Sequence, residues 1–141
     1  MLSQKAKYAL KALVQLAQQK EGETLQCSEI AEREDLPKKF LDNILQTLKT
    51  ANIISSQRGK YGGYQLAKPA SEITFGQIIR VIDGPLALLP CVSKTAYRRC
   101  DDCVDETTCA VRKVMLQVRN STSGILDNTS LADVIEGKRA I

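Results

Sequence analysis

Four cysteines lie close together in the second half of a chain that contains no histidine. Cys91 is followed by Cys100, Cys103 and Cys109, in a segment rich in both acidic and basic residues. Thiolates at such spacings hold iron–sulfur clusters or zinc, and neighbouring thiols can form disulfides. A charged loop is a poor place to bury four inert thiols, so the pattern predicts a metal site or a thiol switch. Cys27 is distant in sequence and is interpreted as a small structural residue.

A second chemical feature is an excess of cations in the first half. Residues 1–70 carry eleven Lys or Arg against seven Asp or Glu, whereas residues 71–141 carry nine of each. Between residues 37 and 68, six cations face the single acid Asp42. A local excess of this size is the electrostatic footprint of a surface that binds a polyanion. The excess of cations alone is equally consistent with a solvated surface that binds no polyanion.

Length and composition favour an ordinary globular protein of 141 residues. No run of eighteen apolar residues is present, and the N-terminus lacks a signal-peptide pattern. We therefore expect a cytoplasmic protein without a membrane partner. In that compartment structural disulfides are uncommon, which favours metal or redox roles for the cysteines.

The elements that must position the basic residues follow from periodicity. Ser3 can cap a first amphipathic helix, and a short second helix follows Ser28. Pro37 suits the start of a third helix, which is expected to bury Phe40, Leu41, Ile44, Leu45 and Leu48. Two short strands follow, around Ile53–Ile54 and Tyr64–Leu66, joined by the glycine-rich tip RGKYGG. This order predicts a mainly α fold with a small β-hairpin wing, a winged helix-turn-helix.

The polar faces of the third helix and the wing suit double-stranded DNA. Lys, Asn and Gln can bond to base edges in the major groove, and arginine can enter the narrow minor groove. The predicted contacts are Lys38, Lys39, Asn43, Gln46, Lys49, Arg58, Lys60 and Tyr61.

The second half predicts a helix ending at Gly84, a loop carrying the cysteines, and a long helix from about Glu106. Its apolar stripe runs from Val111 to Leu126 and has little else to cover it, which favours a homodimer that would match palindromic DNA. The expected organisation is a DNA-binding domain at 1–83, a cysteine-rich loop at 84–109, and at 106–141 a dimerisation helix with a short final helix capped by Thr129 or Ser130.

The combination of these motifs resembles a known family. The segments LSQKAKYALKALVQLA, SEIAEREDLPKKFLDNILQTLK and QRGKYGGYQLAKP, with the trailing cysteines, are similar to the Rrf-two family of bacterial regulators that includes IscR, NsrR and RirA. The resemblance covers nearly the whole chain. It implies a homodimeric DNA-binding transcription regulator. It also implies an iron–sulfur cluster, with two or four irons, that senses iron, redox state or nitric oxide.

The family pattern matches only part of the cysteine set. Cys103 and Cys109 have the spacing of the last two family ligands, whereas Tyr97 occupies the usual first position. Either Cys91 or Cys100 could serve there, and Arg112 stands where some relatives have a histidine ligand. Cluster loss would reorder the loop and alter DNA affinity.

Three alternatives to the cluster stay open: a four-cysteine zinc site, a disulfide switch through Cys100–Cys103 or Cys103–Cys109, and a regulator that binds a partner or metabolite. An enzyme is not expected, because the chain has neither histidine nor a nucleotide-binding glycine loop that opens a helix.

Overall fold

The computed structural model describes residues 1–137, so the end of the predicted segment 106–141 lies outside the described residues. In the described part, the helices are α1 (Gln4–Ala17), α2 (Cys27–Glu34), α3 (Lys38–Thr50), α4 (Phe75–Asp83), α5 (Ala110–Leu126) and α6 (Leu131–Ile135). Strands β1 (Ile54–Gln57) and β2 (Gly63–Leu66) lie between α3 and α4. Single turns of 3-10 helix occur at Ala70–Glu72 and Pro90–Val92. None of the helices in this range is both long and apolar enough to cross a membrane.

The helix starts follow from local capping. The Ser3 hydroxyl accepts a hydrogen bond from the Ala6 amide at 2.9 Å, as predicted for α1. The second helix begins slightly earlier than predicted: Gln26 is its N-cap, and the Gln26 amide donates to the Glu29 carboxylate at 2.8 Å. A left-handed residue, Asp35, then ends α2 and turns the chain into α3.

The core of the N-terminal half is built by the apolar stripes of the first three helices. The α3 side chains Leu41, Ile44, Leu45 and Leu48 are fully buried, as predicted. The prediction for Phe40 is wrong: its side chain is 38% exposed. It lies at the edge of the stripe, where its ring meets the ring of Tyr8 instead of entering the core.

The wing is the predicted antiparallel hairpin. Its register pairs Ile54 with Leu66 and Gln57 with Gly63. Ile54 is buried at the base, whereas residues 58–61 at the tip are exposed. The fold is therefore mainly helical with a two-stranded wing, which confirms the predicted winged helix-turn-helix.

The C-terminal part is fastened to α4 at the far end of α5. The Arg80 guanidinium forms a two-pronged ion pair with Asp127, at 2.6 and 2.9 Å. The Phe75 amide donates to the Thr129 carbonyl at 2.9 Å, and Ser130, one of the two predicted caps, caps α6. This joint fixes the end of α5 relative to the winged helix.

The long helix starts four residues later than predicted, at Ala110 rather than near Glu106. Asp105 accepts hydrogen bonds from both the amide and the hydroxyl of Thr107, and this local turn competes with helix formation. Cys109 then takes the N-cap position.

Candidate DNA-binding surface and cysteine cavity

The predicted contacts on α3 all lie on its exposed face. Lys38 also reaches Asp42, one turn along the helix, at 3.6 Å. Because both side chains are about half exposed, this pair is weak and leaves the lysine available to another anion. The exposed residues are Lys38, Lys39, Asn43, Gln46 and Lys49.

The wing presents its predicted residues on a tip whose base is held firmly. Leu25, in the α1–α2 loop, exchanges backbone hydrogen bonds with Tyr64 at 2.9 and 2.7 Å. Thr24 donates to the Tyr61 carbonyl at 3.0 Å, while the Tyr61 side chain itself is 84% exposed. Lys60 lies over the Tyr61 ring at 5.7 Å, and Arg58 is exposed on the same tip.

One cavity of about 400 Å³ is lined by all four clustered cysteines. It lies between the Pro90–Val92 turn, the loop that follows, and the first turn of α5. The remaining lining residues are Leu89, Asp102, Val104, Asp105, Thr108, Val111 and Arg112. The sequence predicted that the cysteines belong together, but not that leucine and valine side chains would complete the wall.

Two of the cysteines form a pair inside this cavity. Cys91 is buried in the Pro90–Val92 turn, and Cys100 is partly exposed in the loop. A hydrogen bond between the two thiols raises the pKa of Cys100, because it stabilises the protonated form. Both are free thiols.

The other two cysteines are held by arginines and by the start of α5. The Arg99 guanidinium lies against the Cys103 carbonyl at 3.4 Å, and its interaction with the Cys103 thiol raises the pKa of Arg99. The Cys109 sulfur accepts a hydrogen bond from the Arg112 amide at 3.4 Å, so this thiol is the N-cap of α5. The Arg112 side chain reaches back to the Cys91 carbonyl at 3.3 Å.

The four thiols share a cavity without converging on one point. Within residues 1–137, no three Cys, Asp, Glu or His side chains are gathered closely enough to hold a metal ion. The Arg112 Nε is buried and has no hydrogen-bond partner. Tyr97, at the usual first ligand position of the family, is exposed and donates its hydroxyl to Glu106.

Cys27 lies apart from the cavity and is buried in the core beside α3. Burial, reinforced by a hydrogen bond with Asp42, raises the pKa of its thiol to about 12. A thiol with so little thiolate at neutral pH is a poor nucleophile and a poor ligand. This agrees with its interpretation as a structural residue.

One face of α5 is apolar and exposed. Val111, Val114, Val118 and Ile125 have between 38% and 61% of their side-chain surface exposed. Exposed apolar groups at helical spacing along a whole helix mark an interaction surface. α5 also contacts the Pro90–Val92 turn and α4.

The chain is similar in sequence and in structure to known transcriptional regulators. The chain is 44% identical to an Rrf2-like HTH-type transcriptional regulator of Rhodobacter capsulatus, over 96% of this chain and 92% of that one. The structure of CymR, the global cysteine regulator of B. subtilis, superposes with a TM-score of 0.81 at 28% identity over 96% of both chains. The structure of T. potens IscR superposes with a TM-score of 0.77 at 27% identity, over 99% of this chain and 88% of that one. These similarities and the fold define a transcriptional regulator, not an enzyme.

The family follows from the match over almost the full chain. A family model described as Rrf2, an iron-dependent transcriptional regulator, matches residues 2–137. The chain belongs to this family.

Proposed function

We propose that this regulator is a homodimer that binds palindromic DNA and senses iron, redox or nitric oxide status through an iron–sulfur cluster. In this proposal residues 1–83 read the DNA, residues 84–109 hold the cluster, and residues 106–141 form the dimer. Such a protein acts in the cytoplasm, on the chromosome. The observation that carries the proposal is the single cavity lined by Cys91, Cys100, Cys103 and Cys109.

The donor chemistry of this cavity fits a cluster. Thiolates are the usual ligands of iron–sulfur clusters, and the chain offers four of them from one segment. The buried, unpartnered Arg112 Nε is a hydrogen-bond donor beside the thiols, where an anionic occupant would satisfy it. Because the thiols do not converge, binding requires the loop at 98–109 to close inward. That loop contains no helix or strand, so its backbone can move more easily than α5.

Bound iron–sulfur would supply a redox-active, oxygen- and nitric oxide-sensitive group. The residues of this chain would bind this group and form the wall around it. Cys103 and Cys109 would hold the group, with Cys91 or Cys100 completing the set, and Leu89 and Val111 would supply apolar wall beside it. Since Cys109 also caps α5, movement of its sulfur acts directly on the start of the dimerisation helix.

The cluster is tested on protein purified without oxygen. We expect visible absorbance, with iron and sulfide in equal amounts, and loss of both in Cys103→Ala and in Cys109→Ala. Cys27→Ala is the matched control and should keep its colour. Cys91→Ala and Cys100→Ala, compared side by side, identify the remaining ligand. If Cys103→Ala and Cys109→Ala retain iron, sulfide and unchanged DNA affinity, the cluster assignment is wrong.

The DNA-binding surface is tested at the wing. Arg58→Ala should weaken binding to duplex DNA and reduce the slope of log affinity against log salt by about 1, the signature of one lost phosphate or groove contact. Lys113→Ala removes an exposed cation outside both the proposed surface and the cysteine loop and should leave both quantities unchanged. An unchanged affinity and slope for Arg58→Ala would remove the wing from the interface.

The dimer is tested on the apolar face of α5. Val114→Glu places a charge in the middle of that face and should yield monomers in sedimentation velocity, because burying an unpaired charge is costly. Lys113→Glu introduces the same side chain next to the stripe and should leave the dimer intact. A wild-type chain that sediments as a monomer at micromolar concentration would contradict the proposal.

A second candidate is a metal-free thiol switch, favoured by the free thiols of Cys91 and Cys100, which line the same cavity. Its structural neighbour CymR is described as a global cysteine regulator, and a switch of this kind would answer to thiol status. Hydrogen peroxide would take two electrons and two protons from the thiols, forming one S–S bond and two water molecules. Peptide mapping of peroxide-treated, metal-free protein tests the switch: a Cys91–Cys100, Cys100–Cys103 or Cys103–Cys109 disulfide supports it, and the absence of all three removes it.

A further inference from the structure

The aromatic residue at the start of α3 is unusual among the apolar residues of this helix. Leu41, Ile44, Leu45 and Leu48 are fully buried, yet 38% of Phe40 is exposed to solvent. It is the third residue of α3, and the N-terminal residues of a recognition helix are those that contact base edges. Asn43, one turn later, lies on the same side of the helix and is also exposed.

The ring is held in place before any partner arrives. Phe40 meets the Tyr8 ring edge to face, with centroids 5.7 Å apart and planes at 77°. Tyr8 is fixed in turn by a hydrogen bond from the Gln4 side chain. A ring that is already immobilised loses little conformational entropy on binding, so its exposed edge can add affinity at low cost.

The surroundings of the ring indicate what it binds. Lys39 precedes it, and Lys7 lies 5.8 Å from the centre of the Tyr8 ring, so the exposed aromatic surface is bordered by cations. Such a border suits DNA, whose phosphates flank each groove. Among the groups on the floor of the major groove, the thymine methyl is the apolar one, and phenylalanine is one of the residues that contact it.

We infer that Phe40 is a specificity-determining residue that reads a thymine methyl group in each half-site of the operator. This inference rests on the proposed DNA-reading role of α3. The lysines on the same helix contact phosphates or base acceptors and supply affinity, whereas Phe40 supplies preference for thymine at one position. Uracil, which lacks only the methyl group, is the natural probe for such a contact.

The test begins with duplexes selected by the wild-type protein from a random library, followed by replacement of each thymine by deoxyuridine. We expect one position in each half-site where uracil weakens wild-type binding by about four-fold, the factor associated with burying one methyl-sized group. In Phe40→Ala this difference should vanish, so that thymine and uracil bind equally. Phe40→Leu, which keeps an apolar side chain, should retain part of it.

A matched control separates this role from a general loss of binding. Lys39→Ala should bind more weakly overall while keeping the uracil effect, because it removes a charge and leaves the ring. Circular dichroism of each variant verifies that α3 is intact. If no uracil position depends on Phe40 although a sequence is selected, the inference is overturned while the proposed sequence-specific DNA binding is supported. If the library yields no selected sequence, the proposed function fails with it.

Discussion

The joint between α4 and α5 makes a specific prediction about Gly76. A Cβ atom built on this glycine would lie 2.0 Å from Asp127 Oδ1, so Gly76→Ala forces the carboxylate to withdraw by about 1 Å or more. Withdrawal breaks the paired hydrogen bonds to Arg80. Hydrogen bonds to charged groups contribute roughly 1.5–3 kcal/mol. The lower part of that range applies, because the two side chains are 24% and 32% exposed.

The net effect also includes the preference of alanine for helices. Gly76 is the second residue of α4, where replacing glycine adds about 0.5 kcal/mol of stability, less than in a helix interior. We therefore expect Gly76→Ala to lower the free energy of unfolding by about 1–2 kcal/mol. In an Asp127→Ala background the same change should be neutral or stabilising by about 0.5 kcal/mol. The predicted coupling between the two positions is thus about 2 kcal/mol.

The measurement is urea unfolding followed by far-ultraviolet circular dichroism, for the four members of the cycle at one fixed protein concentration. Gly124→Ala is the control, because nothing lies within 4 Å of its Cβ position in α5, and this variant should gain about 0.5–1 kcal/mol. An equal cost of Gly76→Ala with and without Asp127 would show that the steric and ionic reasoning is wrong.

Three further predictions follow from single groups. Arg80 holds the pKa of Asp127 below its usual value, so the stability from this pair is complete above about pH 5 and is lost as pH falls further. The stability difference between wild type and Asp127→Asn should shrink over that range, as acid titration of unfolding would show. Gly63→Ala should lower the free energy of unfolding by about 2 kcal/mol or more, because the φ of Gly63 is +151° and an added Cβ would lie 2.6 Å from the Leu25 carbonyl oxygen. Gly22→Ala, where φ is positive but the space is open, should cost only about 1 kcal/mol in the same thermal unfolding measurement. Cys27 should be the last cysteine alkylated by iodoacetamide in native metal-free protein at pH 8, because its pKa of about 12 leaves little thiolate. Peptide mass spectrometry measures the order of alkylation, and reaction of Cys27 at the same rate as Cys103 would contradict the prediction.

Sequence patterns predicted the elements well where one physical signal dominates. The period of the α3 stripe, the capping serine at residue 3 and the glycine-rich tip each report local preferences, and all three were confirmed. The start of α5 was misplaced because the acidic segment before it has fair helix propensity, and only the Asp105–Thr107 turn shows which conformation prevails. Phe40 was misplaced because an apolar residue at the edge of a stripe is buried only if a neighbouring element covers it.

Long-range contacts were beyond the reach of the sequence pattern. Arg80 and Asp127 are 47 residues apart, and nothing in the sequence indicates that they form an ion pair beside Gly76. The four clustered cysteines line one cavity, and their arrangement within it involves the contact between the Pro90–Val92 turn and α5.

Val111 belongs to two surfaces at once. It lines the cysteine cavity, and 60% of its side chain is exposed on the apolar face of α5. In the proposed dimer, Val111 would therefore contact both the group bound in the cysteine cavity and the partner subunit. Two binding events that share a residue in this way are thermodynamically linked, and the linkage is reciprocal. An occupant that changes the affinity of the two subunits for each other would have its own affinity changed by dimerisation by the same factor.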